Sequence, residues 1–123
     1  IMQDMYLFGV VYKGFFRDST LITPAEVLHA ATRAGALSQG REDSGRLAVG
    51  MRADLCAINT DTPQFTPMTD AACNVVYAAQ GADVCLTMVD GEVLYRDGVF
   101  TTIDIEKVKA EVQRRTDSIL SRL

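Results

Sequence analysis

The sequence predicts a mixed α/β fold, and three observations carry that reading. Thr23-Pro24-Ala25-Glu26 is a strong helix start, Asp90-Gly91 sits between two short apolar runs, and the last twenty residues carry apolar side chains at helical spacing. Helical and extended periods therefore share a chain of 123 residues, enough for one core. A closed barrel of eight strands and eight helices needs roughly 250 residues, so a complete barrel is excluded.

Met2 to Phe16 reads as a helix, with Met5, Phe8, Tyr12 and Phe15 on one stripe and Leu7, Val10 and Val11 off it. A helix apolar on more than one side is normally enclosed, and little in the remaining sequence is available to enclose this one. At Thr23 the hydroxyl can cap, Pro24 suits the first turn and Glu26 completes a capping box. That helix should run through Val27, Leu28, Ala31 and Ala34, with a break or close contact near Gly35 and a stop by Gly40. Arg41 to Gly50 is a polar, glycine-bounded loop.

Ala53 to Asn59 is short and apolar, which predicts a buried strand. Thr62 to Asp70, with Pro63 and Pro67, predicts an extended loop. Ala71 to Ala79 has the apolar density of a short helix with Asp70 at its N-cap and Gly81 ending it. Val84 to Val89 and Glu92 to Arg96 flank Asp90-Gly91, a pair suited to the positive φ angles of a type I′ turn. Asp97-Gly98 offers a second turn into Val99-Phe100. The last helix, from about Asp104 to Leu120, places Ile105, Val108, Val112, Ile119 and Leu123 on one side and Lys107, Lys109, Arg114 and Asp117 on the other.

Apolar residues make up 48% and charged residues 23%, which argues against disorder. A net charge of −4 and scattered basic residues argue against nucleic-acid binding. No segment reads as a signal peptide or approaches the roughly 20 apolar residues of a membrane span. A first residue other than Met fits a processed or shortened chain. Cys56, Cys73 and Cys85 are odd in number and widely spaced, so buried, reduced thiols in a cytoplasmic protein are expected.

His29 is the one histidine, whereas a hydrolytic zinc centre normally takes three protein ligands. No Gly-x-Ser-x-Gly elbow presents a hydroxyl nucleophile, and since a cysteine nucleophile needs a nearby base or positive charge, Cys56 and Cys85 in expected strands and Cys73 in an apolar helix are read as structural. Gly45 to Gly50 lacks the Gly-Lys-Ser/Thr ending of a phosphate cradle and precedes a strand, so its glycines are expected to serve turns.

Several motifs occur together in order. Thr23 to Thr32 ends on Ala31-Thr32 and continues as Gly35-Ala36-Leu37; Gly45-x-Leu47-x-x-Gly50-x-x-Ala53-Asp54-Leu55 follows; Val89-Asp90-Gly91 and a charged terminal helix complete the series. This order resembles the C-terminal portion of the metal-dependent amidohydrolases, in particular the deaminase and chlorohydrolase branch. Asn74-Val75-Val76-Tyr77-Ala78-Ala79 is similar to the stretch in members that deaminate or dechlorinate heterocycles.

The resemblance implies a C-terminal fragment of a TIM-barrel enzyme: residues 1–44 as late barrel helices, 45–103 as part of a composite β-sandwich with a short helix at about 70–80, and 104–123 as the terminal helix. It implies a parent hydrolase acting on non-peptide carbon–nitrogen bonds with a divalent metal, zinc or iron. The family's metal-binding Asp would lie just before Ile1, so Asp4 is not assigned as a ligand. No catalytic or metal-binding residue is assigned in this chain, its substrate contacts stay undetermined, and alone it is expected to be inactive and without cofactor. The expected partners are the missing N-terminal part of the parent and a second copy of the chain, with no nucleic acid or membrane. Two other readings stay open: a non-enzymatic interaction module using a sheet edge and the apolar first helix, and a small-ligand binding domain.

Overall fold

The computed structural model describes residues 1–122; Leu123, expected on the apolar side of the last helix, lies outside them. Helix α1 (Met2–Phe16) ends at Arg17, whose left-handed backbone directs its N–H to the Gly14 carbonyl. Helix α2 (Pro24–His29) has the expected capping box: the Glu26 N–H donates to Thr23 Oγ1, and the Thr23 N–H donates to Glu26 Oε2 at 2.7 Å. A π-helical turn over Ala30–Ala34 then leads into α3 (Gly35–Ser38). The expected irregularity near Gly35 is this wider turn, and a Cβ on Gly35 would lie 3.1 Å from the Ala30 carbonyl.

Helix α4 (Ala71–Tyr77) begins at Asp70, whose side chain accepts the Cys73 N–H. Although close in sequence to the strands, α4 packs on α1 and α2, because Val76 meets Met5 and Val27 in one apolar cluster. Ile22, Leu28, Val75 and Tyr77 pack around it. Gly9 allows the close approach: a Cβ there would come 3.1 Å from the Tyr77 ring. Lys13 Nζ donates to Tyr77 Oη at 2.7 Å across the same contact.

Strands β1 (Leu55–Ile58), β2 (Val84–Val89), β3 (Glu92–Arg96) and β4 (Val99–Phe100) form an antiparallel sheet in sequence order. Asp90 and Gly91, at φ 52° and 82°, close the β2–β3 hairpin, and Asp97 and Gly98 repeat the geometry before β4. Both are the positive-φ turns that match the twist of paired strands.

Several expectations change. The strand sought over 53–59 is shorter and forms an edge, leaving Cys56 exposed. Burial of all three thiols is thus corrected: Cys56 is exposed on the edge strand, and Cys73 and Cys85 are half-buried. The proline loop contains a short 3-10 turn (Pro63–Phe65) that buries Phe65 to 1% exposure, and Gly81 starts another (Gly81–Asp83). Helix α5 (Ile105–Leu120) starts where expected, with the Asp104 side chain capping it, but leaves Ile105, Val108, Val112 and Ile119 exposed. The accessible surface is 9015 Å² for 13.4 kDa. Mass scaling of compact monomers gives about 6500 Å², so this chain leaves much surface that a closed domain would bury.

Candidate functional site

His29 lies exposed at the last position of α2. Asp4 is exposed in the first turn of α1, 3.1 Å from the Ile1 amino group. Among the described residues, no group of three or more His, Cys, Asp or Glu side chains converges to hold a metal ion. The donor set here therefore does not fit a hydrolytic metal centre. The Cys73 thiol is pushed up from its ordinary value, first by burial and then by Asp70, the opposite of an activated nucleophile.

A polar cluster instead joins the loop after α3 to the hairpin. Arg33, in the π-helical turn, donates to the carbonyls of Glu42 at 2.8 Å and Ser44 at 2.7 Å. Gly45 is seated on the same turn at φ 80°, where a Cβ would meet the Thr32 carbonyl at 2.7 Å and Arg33 Cα at 2.8 Å. No side chain fits without moving backbone, so this glycine serves packing and not phosphate binding.

The loop then brings two arginines to Asp54. Arg41 Nη2 donates to Asp54 Oδ2 at 3.0 Å, and Arg52 Nε lies 3.5 Å from the same oxygen. The Arg52 Nε has no hydrogen-bond partner, so its approach is a charge contact only. Asp54 Oδ1 accepts the Asp90 N–H at the hairpin tip at 2.7 Å. That N–H is the main cause holding the Asp54 carboxyl below its ordinary range, with Arg52, Arg41 and Ser44 adding to it against some desolvation. A carboxylate so engaged is a weak base and a good clasp. The sequence motif placed Asp54 in a recognisable pattern but gave no sign of its contact with Asp90, 36 residues away; flanking Arg41 and Arg52 were the available hint.

The remaining features are open faces. Tyr6, Leu7, Phe8, Val11, Tyr12, Phe15 and Phe16 of α1 are exposed, a large apolar surface for a folded chain. A groove of about 1100 Å³ lies between the α2–α3 segment and β1, lined by His29, Arg33, Leu47, Leu55 and Met88 among others. Arg33, Arg41, Ser44 and Asp54 of the cluster just described also line it, and they are engaged with one another and with backbone groups.

A sequence profile described as the amidohydrolase family matches residues 3–95. The chain is 40% identical over 126 residues to a 5-methylthioadenosine/S-adenosylhomocysteine deaminase of Desulfitobacterium hafniense, covering 98% of this chain and 29% of that protein. It is 32% identical over 123 residues to a 5'-deoxyadenosine deaminase of Methanosarcina mazei, covering 100% of this chain and 28% of the relative. Among solved structures, an adenosine deaminase from Xanthomonas campestris with bound zinc superposes with a TM-score of 0.93 at 23% identity, over 98% of this chain and 28% of that one. An atrazine chlorohydrolase from Arthrobacter aurescens complexed with zinc gives a TM-score of 0.84 at 23% identity, over 93% and 26%. At that identity the superpositions speak for the fold. The chain spans less than a third of the length of the curated relatives it matches.

Proposed function

The chain belongs to the amidohydrolase family, and from that premise we propose that it is the C-terminal part of a metal-dependent hydrolase acting on a heterocycle. Deamination of an adenosine-type nucleoside is the favoured reaction, with dechlorination of a related ring the alternative within the same chemistry. The observation that carries this is 40% identity to a deaminase across 98% of the chain. In such a deamination, water replaces the ring amino group and the nitrogen leaves as ammonia. The metal, when bound, supplies a water acidic enough to attack at neutral pH.

Among the described residues no such site is formed, so the reading gives them scaffolding work: α1 packs against the rest of the parent, and the sheet extends with strands from elsewhere in it. By itself the 123-residue chain is inactive. Produced alone it self-associates through the α1 face or the free edge of β1, since an unpaired strand edge and an apolar helix face both seek cover. The three unpaired cysteines agree with a reducing, cytoplasmic setting; among the described residues, no helix is long and apolar enough to cross a membrane.

The test is an assay of the parent polypeptide loaded with zinc or iron, against 5'-methylthioadenosine, S-adenosylhomocysteine, adenosine and a chlorotriazine. Ammonia release from a nucleoside supports deamination, and chloride release from the triazine supports the alternative. Absence of both, or turnover by the purified isolated chain, sinks the proposal.

A further inference from the structure

We infer that the Asp54 carboxylate is the link through which the helical layer sets the position of the β2–β3 hairpin. The apolar cluster of Met5, Val27 and Val76 joins helix to helix, while strand pairing joins strand to strand. Side-chain hydrogen bonds tie the segments between the two layers in two places. One is the 2.7 Å hydrogen bond from Gln64 Nε2 to Asp83 Oδ1. The other starts at Arg33 in the π-helical turn, passes through the carbonyls of Glu42 and Ser44, and returns through Arg41 and Arg52 to Asp54.

Asp54 uses its two oxygens for different partners: Oδ2 faces the loop arginines, and Oδ1 takes the tip amide of Asp90. Arg52 Nη2 also lies 3.5 Å from Asp90 Oδ2, closing the cluster on the hairpin side. The neighbouring Gly91 N–H donates to the Ala53 carbonyl at 3.1 Å, a backbone tie that needs no side chain. Removing the carboxylate should therefore free the tip from the arginines without dissolving the ladder. Asp54 lines the groove beside β1, but its two oxygens are taken up by the arginines and the Asp90 amide, so it acts as a positioning residue. The inference is independent of which reaction the parent performs.

Amide hydrogen exchange in Asp54→Ala, Asp54→Asn and Arg41→Gln tests this, read at Asp90 and against helical amides of α1 and α2. A hydrogen bond to a charged acceptor predicts about tenfold faster exchange at Asp90 in Asp54→Ala. Asp54→Asn should show a smaller increase, because its amide oxygen still accepts, and Arg41→Gln a severalfold one. Backbone orientation in an aligned medium adds a readout specific to coupling: α2 and the hairpin share one alignment in the wild type and require two in Asp54→Ala. Unchanged Asp90 exchange in Asp54→Ala, or a single alignment retained there, overturns the inference. A uniform rise across all amides does so too, since it marks general destabilisation. No change in Arg41→Gln removes the arginine side of the link.

Discussion

In the helical layer Met5, Val27 and Val76 are each at most 6% exposed, whereas no residue of β1 to β4 is fully buried. The helices need only one apolar stripe each, and three short stripes within this chain can meet. A strand sends side chains to both faces alternately, so a sheet needs a layer on each side before its residues disappear from water. Here two Asp-Gly turns set the β2–β3–β4 part of the ladder locally and β1 joins it from a distant segment, yet its burial is incomplete. The same contrast recurs within the helices: α2 and α4 find partners, while most of α1 and the apolar stripe of α5 face solvent. Local signals decide which elements form, and the supply of neighbouring chain decides which are enclosed.

The contrast can be broken most forcefully at Phe65, which is 1% exposed where the proline loop turns back toward α4 and accepts Asn74 Nδ2–H at its carbonyl. Phe65→Ala should cost about 3–5 kcal/mol by leaving a cavity. Leu86→Ala, in half-buried β2, should cost about 1 kcal/mol by lost apolar area. Denaturant titration of both variants checks the pair; equal losses would erase the difference between the enclosed and open regions.

Gly45→Ala is next, at about 1–3 kcal/mol for a strained left-handed position whose Cβ also strikes helix backbone. Thermal melting measures it, and a neutral result would mean that the loop does not sit on the π-helical turn. Thr23→Ala should then cost about 1 kcal/mol through loss of the cap, visible as reduced helicity by circular dichroism.

The smallest effect belongs to α5. Arg114 and Arg115 beside Glu111 bring its carboxyl from the ordinary 4.5 down to about 2. A depressed folded value means that the pairing contributes above pH 4.5 and is lost as pH falls through about 2. Because the groups are exposed, the contribution is small and screened. Glu111→Gln should flatten the loss of helicity between pH 4.5 and 2, and added salt should do the same.

The elements were legible in sequence where a signal acts over a few residues. The bounds of α1, the Thr23–Glu26 box, the Asp70 cap, the start of α5 near Asp104 and both Asp-Gly turns are all of this kind. What escaped was set by contacts between distant segments: the burial of Phe65, the packing of α4 on α1, the exposure of Cys56 and the reach of Asp54 to Asp90. The π-helical turn was half visible, since Gly35 marked an irregularity without stating its form. Family membership was legible from the order of the motifs, whereas the candidate clasp at Asp54 was not, because hydrogen-bond geometry across 36 residues leaves no periodic trace.

The central claim is that this chain works as the enclosed end of a larger hydrolase. Intact mass and N-terminal sequencing of the native product, captured with antibody against this chain, test it most directly. The account predicts a polypeptide about three to four times this chain's 13.4 kDa, in line with relatives of which it covers 28–29%. A native product of this chain's own size would contradict it.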